Sequence, residues 1–180
     1  SFKMNSQTQK IAIVGAGIVG LATAYRILQK FPGVELAVLE KENSPGAHQT
    51  GHNSGVLHAG LYYQPGSLKA RLCVDGVQKM MAFCQNNDIP FEVCGKIVMA
   101  TTPDEVSRLE KLYERGVQNG LMGLRLMGPE EIKEREPYAV GLKALLVPQE
   151  GIVDYRRVCE KLSDRVRALG GQIHYGFAVR

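Results

Sequence analysis

The stretch that decides the fold is Lys10-Ile-Ala-Ile-Val-Gly15-Ala-Gly17-Ile-Val-Gly20, followed further along by a carboxylate at Glu40. Its apolar start predicts a β-strand, its glycines predict a tight turn, and the apolar residues after Gly17 recur at helical spacing. In such a unit Gly15 allows the turn, Gly17 lets the backbone approach a pyrophosphate, and Gly20 lets the helix pack closely on the strand. The N–H groups at the start of the helix attract the phosphate charge. The stretch therefore predicts a βαβ unit that binds a dinucleotide.

Glu40 closes a second predicted strand, Val34–Leu39, and lies 20 residues after Gly20. A carboxylate at this position accepts hydrogen bonds from the ribose of an adenosine. It also disfavours NADP, because it would repel the additional 2′-phosphate. Taken alone, the motif allows both FAD and NAD as the bound dinucleotide.

Composition restricts the class of protein. The chain has 180 residues, 44% of them hydrophobic, and a net charge of +4. The hydrophobic fraction is sufficient for a buried core. The Lys and Arg residues are scattered along the sequence and form no basic stripe that would bind a nucleic acid backbone. The four cysteines show neither C-x-x-C nor metal-ligand spacing, which favours reduced thiols in a cytoplasmic protein without a metal site. The apolar run at residues 11–24 is too short and too rich in glycine to span a membrane.

The rest of the chain alternates between predicted helices and strands. Helices are predicted over residues 17–30, 67–85, 102–117, 129–135 and 154–169, and strands over residues 11–14, 34–39, 90–93, 96–101, 124–127, 142–147 and 172–177. Residues 41–66 contain many glycines and no regular period, yet they are too apolar for a solvated linker. We interpret this segment as a loop that lines a ligand.

One part of that loop resembles a known family. The run Thr50-Gly-His-Asn-Ser-Gly-Val-Leu-His-Ala-Gly-Leu-Tyr-Tyr-Gln-Pro-Gly-Ser-Leu-Lys-Ala70 resembles the L-2-hydroxyglutarate oxidase/dehydrogenase group of the FAD-dependent D-amino-acid-oxidase-like family. The resemblance continues through Gly95–Ala100, Glu136-Pro137 and Gly151–Asp154, so it covers nearly the whole chain. It implies FAD as the cofactor.

The resemblance also implies an α/β fold, in which a Rossmann-like FAD-binding domain is joined to the start of an α+β substrate domain. The predicted boundaries are 1–88 for the N-terminal part of the FAD-binding domain, 89–147 for part of the substrate domain and 148–180 for the return to the FAD-binding domain. Members of this family are longer than this chain. We therefore expect an N-terminal part of a longer protein that has no oxidase activity by itself and whose exposed apolar surface promotes self-association.

The activity implied by the resemblance is oxidation of L-2-hydroxyglutarate to 2-oxoglutarate. A hydride passes to the flavin, a base takes the hydroxyl proton, and oxygen or a quinone accepts the electrons. Two alternatives stay open, namely an amine oxidase similar to glycine or sarcosine oxidase and a nucleotide-binding chain without catalysis. The run His52–Tyr63 argues against the amine oxidase. Peripheral contact of the whole protein with the inner face of a membrane is also left open.

Three histidines are candidates for the base, since histidine suits proton transfer near neutral pH. They are His48, His52 and His58, and we predict that His58 acts as base or substrate orienter because Gly55 and Gly60 flank it.

The remaining site residues come from the same loop. Tyr62 and Tyr63 match positions that line the site in a glycerol-phosphate relative, so we predict that one faces the ligand and the other packs. Short polar side chains and free N–H groups suit a pyrophosphate and the edges of a flavin ring. The predicted flavin contacts on this basis are Thr50, Asn53, Ser54 and Gly55. Lys69 is interpreted as an exposed helix lysine.

Overall fold

The computed structural model describes residues 9–180, which divide into two compact units. The first unit contains the described residues up to Ser54 together with Asp154–Arg180, and the second contains Gly55–Val153. The predicted boundaries were different, since they assigned residues 55–88 and 148–153 to the nucleotide-binding domain. In the structure these residues belong to the second unit.

The elements are numbered along the chain. The strands are β1 (Lys10–Val14), β2 (Glu35–Leu39), β3 (Val56–Leu57), β4 (Phe91–Glu92), β5 (Lys96–Ala100), β6 (Arg125–Met127), β7 (Lys143–Val147), β8 (Gly151–Val153) and β9 (Gln172–His174). The helices are α1 (Ile18–Lys30), α2 (Leu68–Asn86), α3 (Pro103–Gln118), α4 (Pro129–Arg135) and α5 (Tyr155–Ala168). A single 3₁₀ turn over Gln49–Gly51 interrupts the loop after β2.

The first unit is built on a parallel sheet. Its strands lie in the order β1-β2-β9, and α1 connects β1 to β2, so the predicted βαβ unit is confirmed. Helices α1 and α5 pack against each other, and their apolar sides are buried together with the middle strand. The residues of this core are Leu21, Ala24, Leu28, Leu36, Val38, Val158, Leu162 and Val166.

The second unit contains two antiparallel sheets, with strand orders β3-β8-β4 and β5-β7-β6. The middle strand β7 buries Leu145 and Val147 against apolar residues of α3 and of the segment after β3. That core comprises Ala59, Leu61, Ala100, Leu109, Leu121, Leu145 and Val147. Strand β3 pairs with β8. This pairing brings the segment after β3, which carries His58, close to the turn between β7 and β8.

Local signals placed the helix starts correctly. The spacing of Thr102 and Glu105 predicts a capping box, which the structure shows at α3. The Asp154 carboxylate caps α5 by accepting from the Arg156 and Arg157 N–H groups.

The buried side of α2 was predicted less well. The helical spacing of apolar residues predicts a buried side that includes Leu68 and Leu72, but these two residues are 63% and 59% exposed. The helix instead buries Ala70, Val77 and Cys84.

Candidate functional site

The glycine turn of the first unit has the geometry that its sequence predicts. Gly15 has a φ of +100°, which L side chains rarely adopt, and its N–H donates to the Leu39 carbonyl at 2.8 Å. Gly17 precedes α1 in an extended conformation and has no side chain of its own to cap this helix. A Cβ on Gly20 would overlap the Gly15 carbonyl oxygen. Gly15 and Gly17 leave space beside the start of α1, as binding of a pyrophosphate requires.

A pocket of about 350 Å³ opens at this turn. Four of the predicted cofactor residues line it, namely Gly15, Gly17, Glu40 and Thr50. The lining also includes residues that sequence reasoning did not assign to the cofactor: Lys41, Gly46, Ala47, His48, Gln49, Phe177, Ala178 and Val179. The glycines, the carboxylate and the hydroxyl that suit a dinucleotide thus meet in one cavity.

Glu40 has a structural contact that the sequence did not predict. The residue is 8% exposed, and its Oε2 accepts from the Ala16 N–H at 2.6 Å while Oε1 accepts from the Glu42 N–H at 2.9 Å. Glu40 therefore ties the tip of β2 to the glycine turn. Since a carboxylate has about four lone-pair sites, it retains acceptor capacity for a ribose. The ribose contact itself stays a prediction.

The polar residues of the loop separate into two groups. Thr50 Oγ1 accepts from the Ile18 N–H at 3.2 Å, which places its hydroxyl at the start of α1. Asn53 is turned back towards the loop, where its Nδ2 donates to the Thr50 carbonyl at 2.5 Å. Asn53 and Ser54 are exposed and are not among the residues that line the pocket. Gly55 begins the second unit and is likewise not among the residues that line the pocket, which include Thr50.

In the second unit, His58 lies beside a buried carboxylate. Glu150 is 0% exposed, and its Oε2 lies 3.6 Å from His58 Nδ1 and 2.5 Å from Lys96 Nζ. Its Oε1 accepts from the Ala59 N–H at 3.2 Å. The buried negative charge is thus surrounded by an ammonium, an imidazole and a backbone donor. Sequence reasoning did not single out Glu150 or Lys96.

The two predicted site tyrosines have different neighbours. Lys96 Nζ lies 5.0 Å from the centre of the Tyr62 ring, whereas Lys69 Nζ lies 5.9 Å from the Tyr63 ring, both within cation–π range. His58 therefore lies beside Glu150, and Tyr62 lies beside Lys96 of the same ion pair. Tyr63 instead lies beside Lys69. The tyrosines are 48% and 37% exposed, so both rings are accessible to a ligand.

The end of α3 holds the backbone that carries these tyrosines. Arg115 Nη1 donates to the Tyr62 carbonyl at 3.1 Å. Asn119 Nδ2 donates to the carbonyls of Gly60 at 3.1 Å and Tyr63 at 2.9 Å. These contacts, far apart in sequence, fix the turn that follows His58.

Cysteine chemistry follows burial. Burial, and then the charge of Glu150, raises the pKa of the Cys73 thiol, whose Sγ donates to the His58 carbonyl at 3.1 Å. Burial raises the pKa of Cys159 to about 12, with a smaller contribution from Glu160.

Residues 9–180 contain no group of three side chains suited to a metal ion, and none of their helices is long and apolar enough to cross a membrane.

The family assignment follows from comparison with known proteins. The profile of the family described as FAD dependent oxidoreductase matches residues 10–180. The chain belongs to this family. FAD, the cofactor predicted from the sequence, is thus the cofactor for which the family is named. That the glycine turn, Glu40 and the pocket beside them bind the adenosine diphosphate end of such a cofactor stays a prediction.

Comparison with two relatives shows how much of their length this chain covers. The chain is 50% identical to the L-2-hydroxyglutarate dehydrogenase of Indibacter alkaliphilus, over 94% of the chain and 43% of that protein. It is 48% identical to the mitochondrial L-2-hydroxyglutarate dehydrogenase of Homo sapiens, again over 94% of the chain but 37% of that protein. The chain therefore spans about two-fifths of the length of these relatives.

Solved structures support the fold. The L-α-glycerophosphate oxidase of Mycoplasma pneumoniae, solved with FAD bound, matches 94% of the chain and 45% of its own length with a TM-score of 0.86 and 24% identity. A glycine oxidase of Geobacillus kaustophilus matches 94% of the chain and 47% of its own length, with a TM-score of 0.81 and 22% identity. At such identities the likeness concerns the fold and does not distinguish alcohol from amine substrates.

Proposed function

We propose that the whole protein oxidises L-2-hydroxyglutarate to 2-oxoglutarate with FAD as its cofactor. The observation that carries the proposal is the identity of 50% and 48% to two L-2-hydroxyglutarate dehydrogenases over 94% of the chain. The pocket at the glycine turn adds support, because its lining of glycines, a carboxylate and a hydroxyl suits the cofactor that this oxidation needs.

In this proposal the first unit holds the cofactor. The N–H groups at the start of α1 would bind the pyrophosphate, Gly17 would permit its close approach, and Glu40 would accept hydrogen bonds from the ribose. A Cβ on Gly17 would lie 3.3 Å from Thr50 Oγ1, so a larger residue would narrow the pocket between the helix start and the loop. When bound, FAD accepts the hydride that leaves the carbinol carbon.

The second unit supplies the candidate for proton transfer. The His58 side chain is 52% exposed while its Nδ1 lies beside Glu150, so the ring is both accessible and held by a neighbour. We propose that His58 accepts the proton of the substrate hydroxyl. The proton goes to the imidazole and the hydride to the flavin, which balances a two-electron oxidation of an alcohol to a ketone.

The test is purification of the whole protein with FAD, followed by assay with a dye as electron acceptor. We expect 2-oxoglutarate from the L-enantiomer and none from the D-enantiomer, because only one face of the carbinol directs its hydrogen to the flavin. Preference for glycine or sarcosine would instead establish the amine oxidase alternative. Release of NAD rather than FAD on denaturation would contradict the cofactor assignment.

Two further properties of the whole protein stay predictions. We propose that the electron acceptor is oxygen or a quinone and that the enzyme is cytoplasmic. Peripheral contact with the inner face of the membrane stays open. The name of the human relative places that protein in mitochondria. Fractionation of the native cells, with detection of the protein in soluble and membrane fractions, tests the compartment directly.

A further inference from the structure

Glu150 is a fully buried carboxylate for which the proposed reaction has no direct use. Burying a charge is unfavourable unless partners compensate it, so the partners indicate what the residue does. Lys96 Nζ, 2.5 Å away, supplies the opposite charge, and the Ala59 N–H donates to the other oxygen at 3.2 Å. The third neighbour is His58 Nδ1 at 3.6 Å, an ion-pair distance rather than a hydrogen-bond distance.

These contacts join three separate parts of the second unit. Glu150 lies in the turn between β7 and β8, Lys96 begins β5, and His58 and Ala59 follow β3. The Glu150 N–H donates to the Val147 carbonyl at 3.4 Å and its carbonyl accepts from the Gly95 N–H at 2.8 Å, so the backbone beneath the carboxylate is itself anchored. The carboxylate therefore occupies a fixed position from which it orders both neighbouring side chains.

We propose that Glu150 is a positioning residue, which orients the His58 imidazole directly and the Tyr62 ring through Lys96. The inference rests on the proposed function, because it assigns a partner to the base of that reaction. The direct contact is made through Nδ1, which leaves Nε2 as the ring nitrogen free to accept a proton. The indirect contact is the cation–π approach of Lys96 Nζ, 5.0 Å from the Tyr62 ring.

The test compares Glu150→Gln with Glu110→Gln in the whole protein. Both changes keep the size of the side chain and remove its charge. Glu110 is a matched control because it also pairs with a lysine of the same unit, Lys143, at 2.6 Å, but its side chain is 49% exposed. We expect Glu150→Gln to lower kcat for L-2-hydroxyglutarate by about 10- to 100-fold with little change in KM, as misplacement of a catalytic group does. We expect Glu110→Gln to leave both constants unchanged.

A second readout does not depend on activity. The ¹⁵N chemical shifts of the His58 ring report which nitrogen carries the proton, and His58→Asn identifies the signal. In the unaltered protein we expect the neutral ring to carry its proton on Nδ1, towards the carboxylate. In Glu150→Gln the amide oxygen stays with the Ala59 N–H and the NH₂ group replaces Oε2, so the ring proton moves to Nε2.

The outcomes separate the inference from the proposed function. If the unaltered protein does not oxidise L-2-hydroxyglutarate, the proposed function fails, and the ring shifts still decide whether Glu150 positions His58. Identical ring shifts in Glu150→Gln and the unaltered protein would overturn the inference. If the single variant does not fold, the double variant Glu150→Gln with Lys96→Met, which leaves no unpaired charge, carries the same expectations. Failure of both to fold would assign Glu150 to folding and would also overturn it.

Discussion

Replacing Glu40 by alanine tests whether this carboxylate stabilises the glycine turn as well as the cofactor. The change removes the acceptor of the buried Ala16 N–H at 2.6 Å and of the partly buried Glu42 N–H at 2.9 Å. A role confined to the ribose would affect only the binding of FAD. The structure instead predicts that the protein without FAD also loses stability.

The size of the loss follows from the two bonds. A hydrogen bond to a charged group contributes about 1.5–3 kcal/mol, and the Glu42 N–H recovers part of its loss by binding water. We therefore expect the free energy of unfolding to fall by about 2–4 kcal/mol. For a chain of this size, 1 kcal/mol corresponds to about 2–4 °C in Tm, so the expected decrease is about 4–16 °C. Loss of the ribose contact should separately weaken FAD by about 10- to 150-fold.

The assay is thermal unfolding without FAD, followed by circular dichroism, with Glu42→Ala as the control. Glu42 lies two residues further on, and its side chain forms an exposed ion pair with Lys41 at 3.3 Å. Such pairs contribute about 0–1 kcal/mol, and the alanine keeps the N–H that donates to Glu40. Equal Tm values for the two variants would refute the conclusion that Glu40 holds the turn.

Three further predictions concern packing and cysteine chemistry. Gly20→Ala should destabilise the protein by about 1–3 kcal/mol, because the added Cβ would overlap the backbone of Gly15. Gly76→Ala should stabilise it by about 0.5–1 kcal/mol, because a Cβ at this position of α2 meets no atom within 4 Å. Urea unfolding of both variants checks this contrast. A thiol-reactive dye should label exposed Cys94 rapidly and buried Cys159 only on unfolding, and equal rates in the folded protein would contradict the burial. Because burial raises the Cys159 pKa from 9.0 to about 12, the stability due to its neutral thiol is present below pH 9 and is lost as the pH rises towards 12. Cys159→Ala should therefore lose stability less steeply than the unaltered protein over this interval, by up to about 1.4 kcal/mol per pH unit.

The first unit was predictable because its information is local. The functions of Gly15, Gly17 and Gly20 depend on neighbours within one turn of the chain, and Glu40 follows the next strand at a fixed spacing. The sequence therefore indicated the βαβ unit and its pocket. It did not indicate that Glu40 also accepts a hydrogen bond from the Ala16 N–H, because this contact and a ribose contact require a carboxylate at the same position.

The second unit was less predictable because its contacts are distant in sequence. Glu150 and Ala59 are separated by 91 positions, and no local pattern distinguishes this carboxylate from an exposed one. The three-residue strand β8, just after it, is too short to show a period. Leu68 and Leu72 fit a helical apolar face, yet packing of the second unit leaves them exposed. Tertiary contacts decide whether these side chains are buried or exposed, and the periodicity of the sequence does not show those contacts.

Anaerobic reduction of the flavin tests the central claim most directly. The whole protein, purified with FAD, is mixed without oxygen with L-2-hydroxyglutarate, and the visible absorbance of the flavin and the amount of 2-oxoglutarate are recorded. We predict that the flavin band bleaches and that each reduced flavin is matched by one molecule of 2-oxoglutarate. An unchanged band with L-2-hydroxyglutarate, together with bleaching by glycine or sarcosine, would contradict the proposed function.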